Sequence, residues 1–473
     1  MLVSLAPIGL LIALLSASVA LFGSDASYGP NQVALIISAA ATMLVGWHRG
    51  MSWQAIQEGM VGAITVSIMP MMILLSVGAL IGSWMISGTV PGMIYYGIQL
   101  LNPNWFYAAS ALICALASLS LGSSWTVAGT LGIGMMGIAT TYSLSPAITA
   151  GAVISGAYFG DKLSPLSDTT NLAAAAVGVD LFEHIKNMLW TTLPAFVLAL
   201  LVFSLIGSDG AATPDNIAEI RSALASRFSL SPWVLSPLAL MLLLIYLKVP
   251  AYPAILICTF SGTLYAACFQ PEVVRTMAIA AHPNTPAPLI QGLWMALFSG
   301  YQSPPELGAL SQLLDKGGLA SMLNTIFLIL TAMTFGGMLE STGILRQLLN
   351  SVLHGVKRTG DLILATVSGG IITNILAADQ FLAITLPGRL FTPAYDERKL
   401  NRLNLSRTLE DSATLTSVLV PWNTCGAFMA ATLGVATLDY APYALFNLTC
   451  PFLAIVFGYA TIAQLPPTAR ATA

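Results

Sequence analysis

The chain is apolar for about 20 residues at a time, again and again, which is the length a helix needs to cross a bilayer core of about 30 Å. About ten such runs can be laid out, at roughly 3–22, 31–47, 60–84, 145–175, 188–207, 232–247, 251–268, 322–340, 408–436 and 441–463. Inside lipid every backbone polar group must find an internal partner, so the expected fold class is an all-α polytopic membrane protein. Composition agrees, because 56% of residues are hydrophobic and only 8% charged, against roughly 25% charged in soluble domains. The run from Leu2 to Phe22 has no basic flank before it and reads as a first transmembrane helix rather than a cleaved signal.

Several function classes drop out. The 17 Lys and Arg against 20 Asp and Glu offer no basic surface for nucleic acid. The five cysteines and four histidines lack metal-ligand spacing, so neither a transition-metal site nor a disulfide framework is expected. No phosphate-binding glycine loop is present, which leaves transport powered by the chain's own ATP hydrolysis unsupported. No Ser, His and acid set falls within the spans, so no enzyme activity and no cofactor is expected.

Two further apolar stretches, about 105–140 and 361–392, are too long for one crossing and too short for two. Each reads as a re-entrant hairpin of two half-length helices, with tips at Gly122-Ser123-Ser124 and Ala378-Asp379-Gln380. Lys and Arg prefer cytoplasmic loops, and Arg49, Lys186, Lys248, Arg346, Lys357, Arg358, Arg398, Lys399 and Arg402 together indicate a cytoplasmic N-terminus. The first hairpin then opens outside and the second inside. Arg221, Arg227, Arg275 and Lys316 dissent, in long external loops where the rule weakens.

Opposed hairpins suggest an inverted repeat. At an offset of 255, Gly82 matches Gly337, Gly88 matches Gly343 and Thr130 matches Thr385; at 256, Leu163 matches Leu419, Pro165 matches Pro421 and Gly178 matches Gly434. The expected organisation is N-terminal transmembrane helices over 1–59, a first inverted repeat over 60–207, connecting loops and helices over 208–321, and a second inverted repeat over 322–473.

A charge at the bilayer centre costs at least about 2.5–3.5 kcal/mol, so each acid that no loop can hold calls for a reason. These are Asp161, Asp168, Asp379, Glu410 and Asp411. The first two lie in Gly160-Asp161-Lys162-Leu163-Ser164-Pro165-Leu166-Ser167-Asp168-Thr169-Thr170-Asn171, where Pro165 must break the helix and free carbonyl oxygens. Carboxylates, hydroxyls and carbonyls are the hard ligands that replace water around a small cation. The structural alternatives are an Asp161–Lys162 ion pair and capping by Ser167 to Thr170. The counterpart, Val420-Pro421-Trp422-Asn423-Thr424-Cys425-Gly426, breaks at Pro421 and carries no carboxylate. There Asn423 and Thr424 take the places of Ser167 and Asp168. Glu410 could equally bridge to Arg407 at i, i+3 spacing, and Asp379 could cap the second arm of its hairpin. Ser124 and Thr126 add hydroxyls at the first tip. Two tips and two broken helices meeting at midplane would make a cation site with few negative charges. Burial favours the neutral carboxyl and a bound cation the ionised one, so one Asp can hold either a proton or a cation.

At these residues the chain resembles the NhaC family of sodium/proton antiporters, within the ion transporter superfamily. The likeness is carried by the stretch Gly156 to Ala173, by Ala378-Asp379-Gln380, by Leu405-Ser406-Arg407 with Glu410-Asp411, and by Pro421-Trp422-Asn423-Thr424-Cys425-Gly426. The resemblance implies exchange of sodium for protons across the bacterial cytoplasmic membrane. Asp168 and Asp379 would bind cation or proton, with Asp161, Asp411, Glu410, Ser124, Thr126, Ser167, Thr169, Asn171, Asn423 and Thr424 as further candidates. It also implies a scaffold beside the transport part, with room for a homodimer interface. A related branch is similar to malate/lactate exchangers. That alternative would need a basic residue in the cavity, for which Lys162, Arg389 and Arg407 are the candidates.

Overall fold

The computed structural model describes residues 2–206, 214–303 and 311–462. Among these residues there is no strand, and eight helices are long and apolar enough to cross a membrane, or ten if each of two bent helix pairs is one span. This is an all-α polytopic membrane protein. The helices Thr89–Leu100, Pro271–Ala281, Pro288–Ser299 and Ile344–Leu353 did not stand out in the apolar pattern, because each is too short to span.

The longest helix, Trp53–Ile86, runs for 34 residues, about 50 Å at 1.5 Å per residue. It starts earlier than the apolar run because Ser52 accepts a hydrogen bond from the Ala55 amide and caps the first turn. It packs on Leu323–Ser341, Ala251–Phe269 and Pro288–Ser299. Small residues set that approach. The Gly318 amide donates to the Gly78 carbonyl at 2.6 Å, and a Cβ on Gly82 would stand 2.0 Å from the Ala296 carbonyl oxygen.

Both hairpins turn at the expected tips. Phe106–Leu121 ends in left-handed Gly122 (φ 66°), and Ser123 caps the return helix by accepting from the Thr126 amide. Thr359–Ala377 ends in left-handed Ala378 (φ 59°), and Asp379 caps Gln380–Glu397 by accepting from the Leu382 amide. These arms run 16 to 19 residues, about 24–28 Å, longer than half-length helices. In the second hairpin they take in ends, Thr359 and Gly360 before it and Thr392 to Glu397 after it, that extend to or beyond the limits of the apolar run.

Each hairpin is followed by a broken helix. The first runs Pro146–Leu163, breaks over 164–167 and resumes as Asp168–Val177. The second begins at Arg402 rather than near 408. It passes through a π turn at Glu410–Thr414, breaks over 418–423 and resumes as Thr424–Leu433. Local backbone events recur at the repeat offset. Left-handed residues pair as Gly88 with Gly343, Gly122 with Ala378 and Gly178 with Gly434. The N-caps pair as Ser123 with Asp379 and Ser167 with Asn423.

Candidate functional site

A cavity of about 250 Å³ forms where the first tip, the first break and the second tip converge on the middle of the Trp53–Ile86 helix. The tip supplies Ser123, Ser124 and Thr126, and the break supplies Asp161, Ser167, Asp168 and Thr169. Gln380 and Phe381 reach it from the second hairpin, and Val66, Met69, Pro70 and Ile73 make its apolar side. Two carboxylates and several hydroxyls thus face one space, with no Lys, Arg or His among the described residues that line it.

Asp161 ties the tip to the break. Its Oδ2 accepts from the Ser124 amide at 3.0 Å and from the Ser124 hydroxyl at 2.7 Å. It does not pair with Lys162, since adjacent helical residues point to different sides. Lys162 turns into the core and forms a fully buried ion pair with Asp411. The Thr191 hydroxyl donates to the same Asp411 oxygen at 3.0 Å, and the Cys450 thiol lies 3.3 Å from it.

Asp168 opens the second segment of the broken helix and is exposed to the cavity. Ser167 caps that segment, and its hydroxyl lies 3.1 Å from that of Thr169. Asn171 has another task. Its amide donates to the Pro165 carbonyl at 2.9 Å and to the Ser167 carbonyl at 2.7 Å, while Thr170 donates to the Lys162 carbonyl at 3.0 Å. The Lys162, Pro165 and Ser167 carbonyls, which a proline break was expected to turn toward an ion, thus accept from side chains instead.

The second half is stitched in the same manner but stands behind the cavity wall. Asp379 is buried as a helix cap, and its neighbours Gln380 and Phe381 do the lining. Asn423 donates to the Asn374 carbonyl (3.2 Å) and side-chain oxygen (3.1 Å) and accepts from the Cys425 amide. The Thr424 amide donates to the Ala378 carbonyl at 3.0 Å, and the Trp422 indole to the Ile375 carbonyl at 2.7 Å. Asn423, Thr424, Asp379 and Asn171 therefore shape the tips and breaks without lining the cavity. Stacking of Trp125 on Phe428, with ring centroids 4.0 Å apart, joins the first tip to the second broken helix.

Glu410 and Asp411 are fully buried on the π turn, away from the cavity lining. Arg407 directs Nη1 toward the Asn187 side chain at 3.4 Å rather than bridging to Glu410. Among the described residues no group lies in hydrogen-bond geometry to either carboxyl oxygen of Glu410, and the Thr414 hydroxyl is the polar side chain that acts on it. Sequence reasoning missed Ser123, Gln380 and the Lys162–Asp411 pairing. A pairing across 249 residues leaves no local signal, whereas the two tip residues were legible as polar positions in apolar hairpins.

The model of the Na+/H+ antiporter family matches residues 156–462. The chain is 39% identical to the Na+/H+ antiporter NhaC of Alkalihalophilus pseudofirmus over 91% of its length and 89% of that protein. It is 35% identical to the Na+/H+ antiporter NhaC of Bacillus subtilis, covering 90% of each. To the malate-2H+/Na+-lactate antiporter of Bacillus subtilis it is 34% identical, over 91% of this chain and 89% of that one.

Proposed function

The chain belongs to the Na+/H+ antiporter family, and from that membership we propose how its own residues exchange sodium for protons across the membrane. The observation that carries the reading is the cavity: Asp161 and Asp168 with the hydroxyls of Ser124, Thr126, Ser167 and Thr169 around one space, and no basic side chain in its lining. Hard oxygen donors suit a small alkali cation stripped of part of its water. In a low-dielectric surround, two carboxylates facing each other repel, and a cation between them relieves that repulsion. When the cation leaves, a proton must take over the compensation, and that requirement couples the two flows.

The Ser124–Asp161 hydrogen bonds place the first tip and the first break in one unit, so ion binding at the break is felt at the tip. Caps at Ser123 and Ser167 set helix N-termini at the cavity, and the macrodipole at such ends moderates the excess negative charge. We place the protein in the bacterial cytoplasmic membrane with its N-terminus on the cytoplasmic side, as the distribution of Lys and Arg favours. The segments 60–207 and 322–473 act as the two transport repeats, with room for a homodimer interface on the scaffold.

The 34% identity to a malate-2H+/Na+-lactate antiporter supports a second reading, in which an organic acid moves with the ions. Such a substrate needs a cationic partner. Lys162 is already paired with Asp411, and Arg389 is exposed and absent from the cavity lining. The deciding experiment is proton flux in proteoliposomes under a preset pH gradient, with sodium alone and then with malate or lactate added. Collapse of the gradient by sodium alone, lost in Asp161→Asn and Asp168→Asn, is the expected result. A response only after an organic acid is added would replace the cation reading with the carboxylate one.

A further inference from the structure

A second line of buried polar groups runs beside the cavity, along the contact between the Leu181–Leu205 helix and the 402–417 segment. On the first of these, His184, Asn187 and Thr191 follow one another at helical spacing on one face. Each meets the opposite segment. The Ser406 hydroxyl lies 2.8 Å from His184 Nδ1, Asn187 donates to the Leu403 carbonyl at 2.8 Å, and Thr191 donates to Asp411 at 3.0 Å. His184, Thr191, Glu410, Asp411 and Lys162 are all fully buried.

One end of this seam opens on solvent. A vestibule of about 720 Å³ is lined by exposed Asp180, Glu183 and Arg402 together with Leu403, whose carbonyl accepts from Asn187 of the seam. The other end reaches Lys162 through its ion pair with Asp411. Along the way His184 Nε2, both carboxyl oxygens of Glu410 and Asp411 Oδ2 have no hydrogen-bond partner within 3.5 Å among the described residues. Buried polar atoms without partners are rare in folded proteins, and here they fall on three successive titratable groups of a single seam. Glu410 and Asp411 also sit on a π turn, a backbone irregularity concentrated at functional sites.

We propose that this seam is the proton path of the exchanger, with Glu410 as the buried carrier and His184 as the relay to the vestibule, separate from the cavity that takes sodium. The inference rests on the antiport reading above. Within the seam the one observed contact that can pass a proton is that of His184 Nδ1 with the Ser406 hydroxyl, and a proton that crosses the seam ends on a Glu410 carboxyl oxygen; the return runs the same way backwards. The neutral acid suits a fully buried site, where an ion would be costly. When sodium leaves Asp161 and Asp168, the proton on Glu410 restores the charge count around Lys162, which stays paired with Asp411. The groups that act on the carrier are Asp161 and Lys162 from the first broken helix and Thr414 and Asp411 from its own segment.

The test separates the two routes in proteoliposomes of the full chain. Sodium-driven proton flux uses both, whereas exchange of radioactive sodium for sodium at one pH on both sides uses the cavity alone. Glu410→Gln is expected to lose proton flux by about a hundredfold, the scale of a displaced proton-transfer group, with sodium-for-sodium exchange intact. His184→Gln, whose amide can still meet Ser406, is expected to slow proton flux by about tenfold with the same intact exchange. It decides the matter if Glu410→Gln fails to fold. Retained proton flux in these variants, or parallel loss of both exchanges in a folded variant, overturns the seam. Sodium exchange without any proton coupling in the unaltered protein would instead overturn the antiport reading itself.

Discussion

The buried Lys162–Asp411 pair offers a strong energetic test, because its two members come from the two broken helices. Removing either leaves the other charged, buried and unpaired, which costs about 3–5 kcal/mol, while replacing both with apolar groups of similar size is near neutral or stabilising. The structure argues for the upper part of that range. Asp411 Oδ2 already lacks a partner, and the Thr191 hydroxyl with the weakly donating Cys450 thiol is all that would remain on Oδ1. Lys162→Met and Asp411→Leu should each destabilise by about 3–5 kcal/mol, and the double variant by less than either. The assay is a double-mutant cycle on reversible unfolding of purified protein in mixed micelles, followed by far-ultraviolet circular dichroism. Additive losses, with the double variant as unstable as the sum of the singles, would refute a direct charge interaction between the halves.

Further predictions concern the cavity and its frame. Ser124→Ala removes one of two hydrogen bonds to Asp161, and half-saturation by sodium in proton-flux assays should rise about tenfold, a loss of about 1.5 kcal/mol for a bond to a charged group; an unchanged value would take Ser124 out of the site. Asn171→Ala strips the Pro165 and Ser167 carbonyls of their donor and should cost about 1–3 kcal/mol of unfolding free energy, while half-saturation by sodium in the folded fraction stays as before; a large rise would make Asn171 a ligand after all. Gly122→Ala should destabilise by more than the 1–2 kcal/mol of a left-handed alanine, because its Cβ would stand 2.7 Å from Leu166. Thermal unfolding that matches the unaltered protein would contradict that packing.

Much of the fold was legible in the chain because it depends on residues close in sequence. The spans follow from runs of apolar residues, the tips from Gly122 and from polar Ala378-Asp379-Gln380, and the breaks from Pro165 and Pro421. Local turns and caps were readable for the same reason, since left-handed residues and caps recur where Gly88, Gly122, Ser167 and Gly178 have counterparts. Identifying Asp161 and Asp168 as acids that no loop could hold was also a local inference. Which polar groups face one another was decided by the tertiary structure. Nothing near Lys162 in sequence shows that it turns from Asp161 to meet Asp411, and nothing near Asn171 shows that it closes a bend instead of lining a cavity. Backbone conformation answers mainly to the next few residues, whereas a buried charge must find its partner wherever close packing brings two distant helices together.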